Sequence, residues 1–263
     1  MNIIIYVFLL INGVYCFQSI NKNILLTSQL FSKKKSNNQD NNVNRVIYRP
    51  KTHNQEKYIN SLNDKNINLL FCLGPAGTGK TLFACNYAID KIIDKSIKKI
   101  IITRPTITVE ENMGFLPGNI NEKMRPFMNP IYDVFLERFT KKELETLINH
   151  NILEIAPLGF IQGRTFKDSI IIADEMQNSS PNQMFMLLTR IGENSKMILT
   201  GDPLQTCIYN SNNGLVDIVQ KLNKKYDNCN NMYNDGIKII KLEAPDIQRH
   251  SLVYTINNLY NKS

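Results

Sequence analysis

Tryptophan is absent from this 263-residue sequence, histidine occurs only three times, and none of the five cysteines forms a CxxC pair. The dispersed His53, His150 and His250 give no metal constellation. Cys16, Cys72, Cys85, Cys207 and Cys229 are too scattered for a zinc ribbon or a redox motif, and their odd number argues against a disulfide framework. Cys72 and Cys85 sit among apolar residues and read as small buried hydrophobes in a reducing compartment. No apolar run reaches the roughly 18–20 residues of a membrane-spanning helix, and the composition excludes collagen and a coiled-coil rod. With 43% hydrophobic residues there is enough chain for one sizeable core. Acids are missing altogether from residues 1–39, which hold Lys22, Lys33, Lys34 and Lys35. The net charge of +8 therefore overstates how basic the rest of the chain is, and by itself it argues only weakly for a nucleic-acid partner.

Residues 3–11 form a nine-residue apolar run followed by Asn12, Gly13 and the modest side chains of Val14 and Cys16. A helix of that length spans about 14 Å, the size of a signal-peptide core and short of a bilayer. A buried first strand is the competing reading. Residues 17–39 are polar, basic and acid-free, the composition of a transit peptide, and residues 32–44 read as a disordered linker. The expected organisation is a signal peptide over 1–16, a transit-like leader and linker over 17–45, and one catalytic domain over 46–263. A bipartite leader of this kind implies delivery to a plastid, with the cytoplasm or the secretory pathway as alternatives. The mature chain is expected to have no membrane association.

Residues 68–73 (NLLFCL) have the continuous apolar character of a buried parallel strand. They run into Gly74, Pro75, Ala76, Gly77, Thr78, Gly79, Lys80 and Thr81, and then into a helical pattern over 82–91. GxxxxGK[ST] between a strand and a helix is a phosphate loop: glycines let backbone N–H groups curl around phosphate oxygens, and the helix N-terminus adds positive potential. Lys80 is placed to reach the terminal phosphates, and Thr81 offers a hydroxyl to Mg²⁺. A second buried strand, 169–173 (SIIIA), ends in Asp174 and Glu175. The first suits water-mediated Mg²⁺ binding and the second suits polarisation of an attacking water. Further strands over 196–200 (KMILT) and 99–103 (KIIIT) end in Gly201, Asp202, Pro203, Leu204 and Gln205 and in Arg104 and Pro105. All four strands deliver polar residues at their carboxyl ends, where open α/β sheets bind ligands. Helical patterns over 131–149 and 181–190 complete the alternation of an α/β fold, a mainly parallel sheet with helices on both faces.

With these residues in view the chain resembles the PhoH-like proteins, a P-loop ATPase family named for phosphate starvation. The likeness rests on ordered blocks: GPAGTGKT at 74–81, TRP at 103–105, GFLPG at 114–118, EKMRPFMNPIYD at 122–133, APLGFIQGRTF at 156–166, IIADEMQN at 171–178, LTRIGENSKMILTGDPLQ at 188–205 and DIQRHSLV at 246–253. The resemblance implies a RecA-like P-loop NTPase core related to superfamily 1 helicases, with ATP and Mg²⁺ as cofactors. It makes Lys80 and Thr81 phosphate and metal ligands, Asp174 and Glu175 the Walker B pair, Gln205 the γ-phosphate sensor, and Gln177 a further reporter of nucleotide state. It also makes Gln55 a reader of adenine and Arg249 a catalytic arginine, acting across a ring of subunits, six by family resemblance. Arg164 and Arg190 are reserves for that role, and an ion pair from Arg249 to Asp246 is the structural alternative. Met176, Gln162, Gln248, Ser251 and the run Thr206, Cys207, Ile208, Tyr209 depart from the family pattern. None of these replaces Lys80, Asp174, Glu175 or Gln205.

The functional expectation is a Mg²⁺-dependent ATPase coupled to RNA or a ribonucleoprotein, with residues 109–133 as the output surface. A nucleotide-gated RNA- or ribosome-binding module with little turnover is the non-enzymatic alternative. A small-molecule kinase is another, disfavoured because Asp174, Glu175 and Gln205 suit activation of water better than transfer to an acceptor.

Overall fold

The computed structural model describes residues 48–105, 120–205, 213–226 and 229–249. The leader expected over 1–45, residues 109–119 of the expected output surface, and the departures at 206–209 and Ser251 lie outside the described residues.

Six strands form one sheet: β1 (Leu69–Leu73), β2 (Lys99–Arg104), β3 (Leu153–Pro157), β4 (Ser169–Ala173), β5 (Lys196–Gly201) and β6 (Ile237–Lys241). Their spatial order is β3-β2-β4-β5-β1-β6, and every described pairing is parallel. The helices are α1 (His53–Asn63), α2 (Lys80–Ile93), α3 (Ile120–Leu136), α4 (Lys141–Asn149), α5 (Pro181–Leu188), α6 (Gly214–Lys225) and α7 (Cys229–Asn234).

Because alternate strand residues face opposite sides, the apolar runs split cleanly into two cores. Leu70, Cys72, Ile100, Ile102, Ile170, Ile172 and Ile198 pack with Tyr58 and Leu62 of α1, Ala88 and Ile89 of α2, and Ile131 and Phe135 of α3. Phe71, Ile101, Ile171, Met197 and Leu199 pack on the other side with Met184 and Leu187 of α5, Leu215 and Leu222 of α6, and Met232 of α7. A central strand buried on both faces must be apolar at every position, which is why β1, β2, β4 and β5 read as unbroken hydrophobic runs.

The single helical pattern over 131–149 is two helices. Thr140 caps α4 in a reciprocal box: its Oγ1 accepts from Glu143 N at 3.3 Å, and Glu143 Oε2 accepts from Thr140 N at 2.8 Å. A cap of this kind stabilises a helix start by about 1 kcal/mol. Ser180 and Gln183 do the same for α5, with Pro181 at its first position. On that helix Met184 is buried, whereas Phe185 stands exposed.

Lys196 opens β5 almost wholly buried, and its Nζ donates to the carbonyls of Ser61, Leu62 and Asp64 at the end of α1. Burial pulls its pKa down to about 8. This contact ties α1 beneath the amino ends of the strands, on the side of the sheet away from the carboxyl ends that carry Gly74, Asp174 and Asp202.

A candidate nucleotide site at the carboxyl edge of the sheet

Register brings the functional residues to one rim. Leu73 lies opposite Gly201 of β5, Thr103 opposite Ala173 of β4, and Arg104 opposite Pro157 of β3. The residues that follow these strand ends therefore emerge side by side.

The loop after β1 turns on glycines. Gly77 and Gly79 have φ of 85° and 89°, conformations that side-chain-bearing residues rarely adopt, and Gly79 caps α2. Thr78, fully buried, closes the loop by donating to Pro75 O at 2.9 Å. Lys80 Nζ bonds the loop's own carbonyls, Gly74 O at 2.6 Å and Pro75 O at 2.7 Å. Burial lowers the pKa of this ammonium below its ordinary value.

Asp174 is 1% exposed, and both of its oxygens are engaged. Oδ1 accepts from Thr81 Oγ1 at 2.7 Å and from Thr200 Oγ1 of β5. Oδ2 accepts from Arg104 Nε at 2.9 Å and from its Nη2. Thr81 and Asp174 are thus joined although β5 lies between the strands that precede them. Thr200 reaches Asp174 from that intervening strand. Thr200 is the part of the site that motif reading missed; Arg104 was signalled by its place at the carboxyl end of an apolar strand and by the TRP block, but its pairing with Asp174 was not.

Glu175 leaves β4 in a left-handed conformation, φ 57°, with an exposed side chain. Gln177 Nε2 donates to Glu175 Oε2 at 2.6 Å, and Gln177 Oε1 accepts from Asp202 N at 3.1 Å. Gln205, exposed, bonds Asp202 O through its backbone N–H at 3.1 Å. A chain of contacts consequently runs from the Gln205 turn through Asp202 and Gln177 to Glu175.

Behind the P-loop three distant segments are knotted together. Gln55 is 1% exposed; its Oε1 accepts from Lys51 N at 2.8 Å, and its Nε2 donates to Thr78 O and Asp246 O, each at 3.2 Å. The amide expected to read adenine has these partners here, so base contact requires it to exchange them. Asp246 accepts from Thr52, from Asn54 Nδ2 at 3.0 Å and from Glu243 N at 2.7 Å. Those donors hold its carboxyl below the usual range against the opposing effect of burial.

Arg249 therefore does not make the ion pair with Asp246 offered as its structural alternative. Instead, Gln248 N donates to Gly77 O at 2.9 Å, and the Arg249 side chain lies over Gly77, where a Cβ would stand 2.7 Å from its Nε. Arg249 sits on the P-loop of its own chain. The reserves are placed elsewhere. Arg164 forks onto Glu154 of β3, and Arg190 Nη1 donates to Arg164 O. Glu154 is four strand positions, about 19 Å, from β1.

Among the described residues no group of three or more His, Cys, Asp or Glu could hold a metal, and no helix is long and apolar enough to cross a membrane. Thr81 and Asp174, a hydroxyl and a carboxylate already in contact, offer a divalent ion the hard oxygen donors that Mg²⁺ prefers.

A glycine-turned loop entering a helix, a carboxylate on a non-adjacent parallel strand and a threonine joining them define a RecA-like P-loop NTPase core. The PhoH-like protein family model matches residues 47–261, and the chain belongs to that family. It is 40% identical over 214 residues to a PhoH-like protein of Bacillus subtilis, covering 81% of this chain and 64% of that one. It is 36% identical over 217 residues to one from Synechocystis, covering 82% and 63%. The chain thus spans under two thirds of these relatives' length. Among solved structures, a Pif1 helicase from Candida albicans aligns at 15% identity over 81% of this chain and 44% of its own, with a TM-score of 0.37.

Proposed function

We propose that this protein is a Mg²⁺-dependent ATPase whose nucleotide cycle acts on RNA or a ribonucleoprotein. The observation that carries the ATPase reading is the direct Thr81–Asp174 contact beside a lysine held over an otherwise backbone-lined loop. Loop N–H groups and Lys80 take the phosphates, the lysine exchanging Gly74 and Pro75 carbonyls for phosphate oxygens. Polyphosphate charge offsets the burial that depresses the Lys80 pKa, so the ammonium form is favoured when nucleotide is present. Bound between Thr81 and Asp174, Mg²⁺ would neutralise charge on the phosphate oxygens.

Glu175, exposed and steered by Gln177, orients the attacking water and takes up its proton. Gln205 senses the terminal phosphate, and its turn reaches Glu175 through Asp202 and Gln177. Arg249, lying on the P-loop, supplies a cation in cis rather than from a neighbouring subunit. The site supports the ATPase arm of this reading, and the RNA arm extends it to a substrate that the assay below tests.

Phosphate release with and without RNA tests both. Lys80→Ala should abolish nucleotide binding, whereas Glu175→Gln should bind and fail to hydrolyse. Unchanged turnover in Glu175→Gln would refute the assignment of the base. Wild-type turnover indifferent to RNA would remove the RNA coupling alone.

A further inference from the structure

β6 is the last strand on its side of the sheet, and among the described residues nothing pairs with its outer edge. The bonds to β1 fix which of its groups are open. Leu69 N donates to Gly236 O, and Leu242 N donates to Leu73 O, so residues 236 and 242 turn inward. Peptide groups alternate along a parallel strand, which directs the N–H and C=O of Ile237, Ile239 and Lys241 outward.

That open edge is the floor of a groove of about 480 Å³. Lys57 of α1 walls it on one face of the sheet; Val219, Asn223 and Met232 of α6 and α7 wall it on the other. Lys238 shares the α1 face with buried Ile240, while Lys241 lies on the α7 face, so cations flank the strand on both sides. Among the described residues no carboxylate lines the groove, and none of the three lysines forms an ion pair.

We propose that this groove binds an extended acidic segment of a partner protein, which adds a strand to β6 and sets its carboxylates against Lys57, Lys238 and Lys241. The outward edge offers donors and acceptors in alternation, the pattern a peptide backbone matches and a phosphodiester chain does not. A second copy of this chain is disfavoured, because edge-to-edge pairing of two β6 strands would bring like lysine rows together. Residues 250–263 contain no Asp or Glu, so the chain's own tail lacks the complementary charge. Edge lysines also deter unwanted pairing. That role explains Lys238 and Lys241, but not a groove with a third lysine contributed by α1.

The test uses the full chain and an array of fluorescent peptides, each about nine residues long, alternating Glu or Asp with β-branched residues. Matched peptides carrying Lys at the acidic positions, and a single-stranded RNA, serve as comparisons. The expected result is saturable binding of acidic peptides only, weakened about tenfold or more by Lys57→Glu with Lys238→Glu. Basal phosphate release by that variant should match wild type. Amide exchange at Ile239 and Lys241 should slow on binding. The proposal is overturned if no acidic peptide binds, if RNA displaces the peptide, if binding ignores both lysines, or if the β6 amides gain no protection.

Discussion

Replacing Arg104 by methionine tests the internal electrostatics of the nucleotide site. Asp174 is 1% exposed, and the Arg104 side chain is 16% exposed, so their ion pair lies almost entirely out of water. The Arg104→Met variant keeps the bulk and, among the described residues, leaves the carboxylate with the Thr81 and Thr200 hydroxyls as its side-chain donors. Breaking one side of a buried pair costs about 3–5 kcal/mol. For a domain of this size that corresponds to a drop in Tm of roughly 6–20 °C. Asp174→Asn should cost less, since the freed guanidinium is nearer solvent. In the double variant the two losses should fail to add, with a coupling energy of about 1–3 kcal/mol. A second signature separates charge from packing. Millimolar Mg²⁺ without nucleotide should restore part of the Tm of Arg104→Met, because a divalent cation can neutralise Asp174, and should do little for wild type. Urea or thermal unfolding with and without Mg²⁺ measures both. A loss below about 1 kcal/mol, the surface-pair range, or equal Mg²⁺ responses in the two proteins, would refute the reasoning.

Two further outcomes follow from named contacts. If Arg249 acts on its own P-loop, mixing Lys80→Ala with Arg249→Ala subunits should recover no phosphate release even when the two co-assemble; recovery would return the arginine to a neighbouring subunit. Glu154 is held down to about 2, chiefly by the Arg164 hydrogen bonds, from an ordinary 4.5. A depressed carboxylate gives stability that is present above pH 4.5 and is lost as the pH falls toward 2. Glu154→Gln should therefore remove an acid-side loss on the order of 1–2 kcal/mol, allowing for solvent screening, and chemical unfolding across that window reads it.

Central strands were plain in the sequence because burial on both faces forces unbroken apolar runs, and the structure moves their ends by only a residue. β3 (LEIAP) and β6 (IKIIK) were missed because edge strands alternate polar with apolar residues and so lose that signature. The break at Thr140 escaped because helical periodicity continues across it, while the capping box there is a local signal that periodicity alone does not register.

The loop at 74–81 and the pair Asp174 and Glu175 could be placed from sequence alone, since a GxxxxGK[ST] run between an apolar strand and a helix and an acidic pair after a buried apolar run are local patterns. Their partners were not. That Asp174 is met by Arg104 and Thr200, that Gln55 locks the P-loop to Asp246, and that Arg249 rests on Gly77 of its own chain all depend on residues far apart in sequence. Only strand order and register bring them together. The parallel sheet gathers its carboxyl ends on one rim, and which polar residues then touch is a property of that gathering rather than of any local motif.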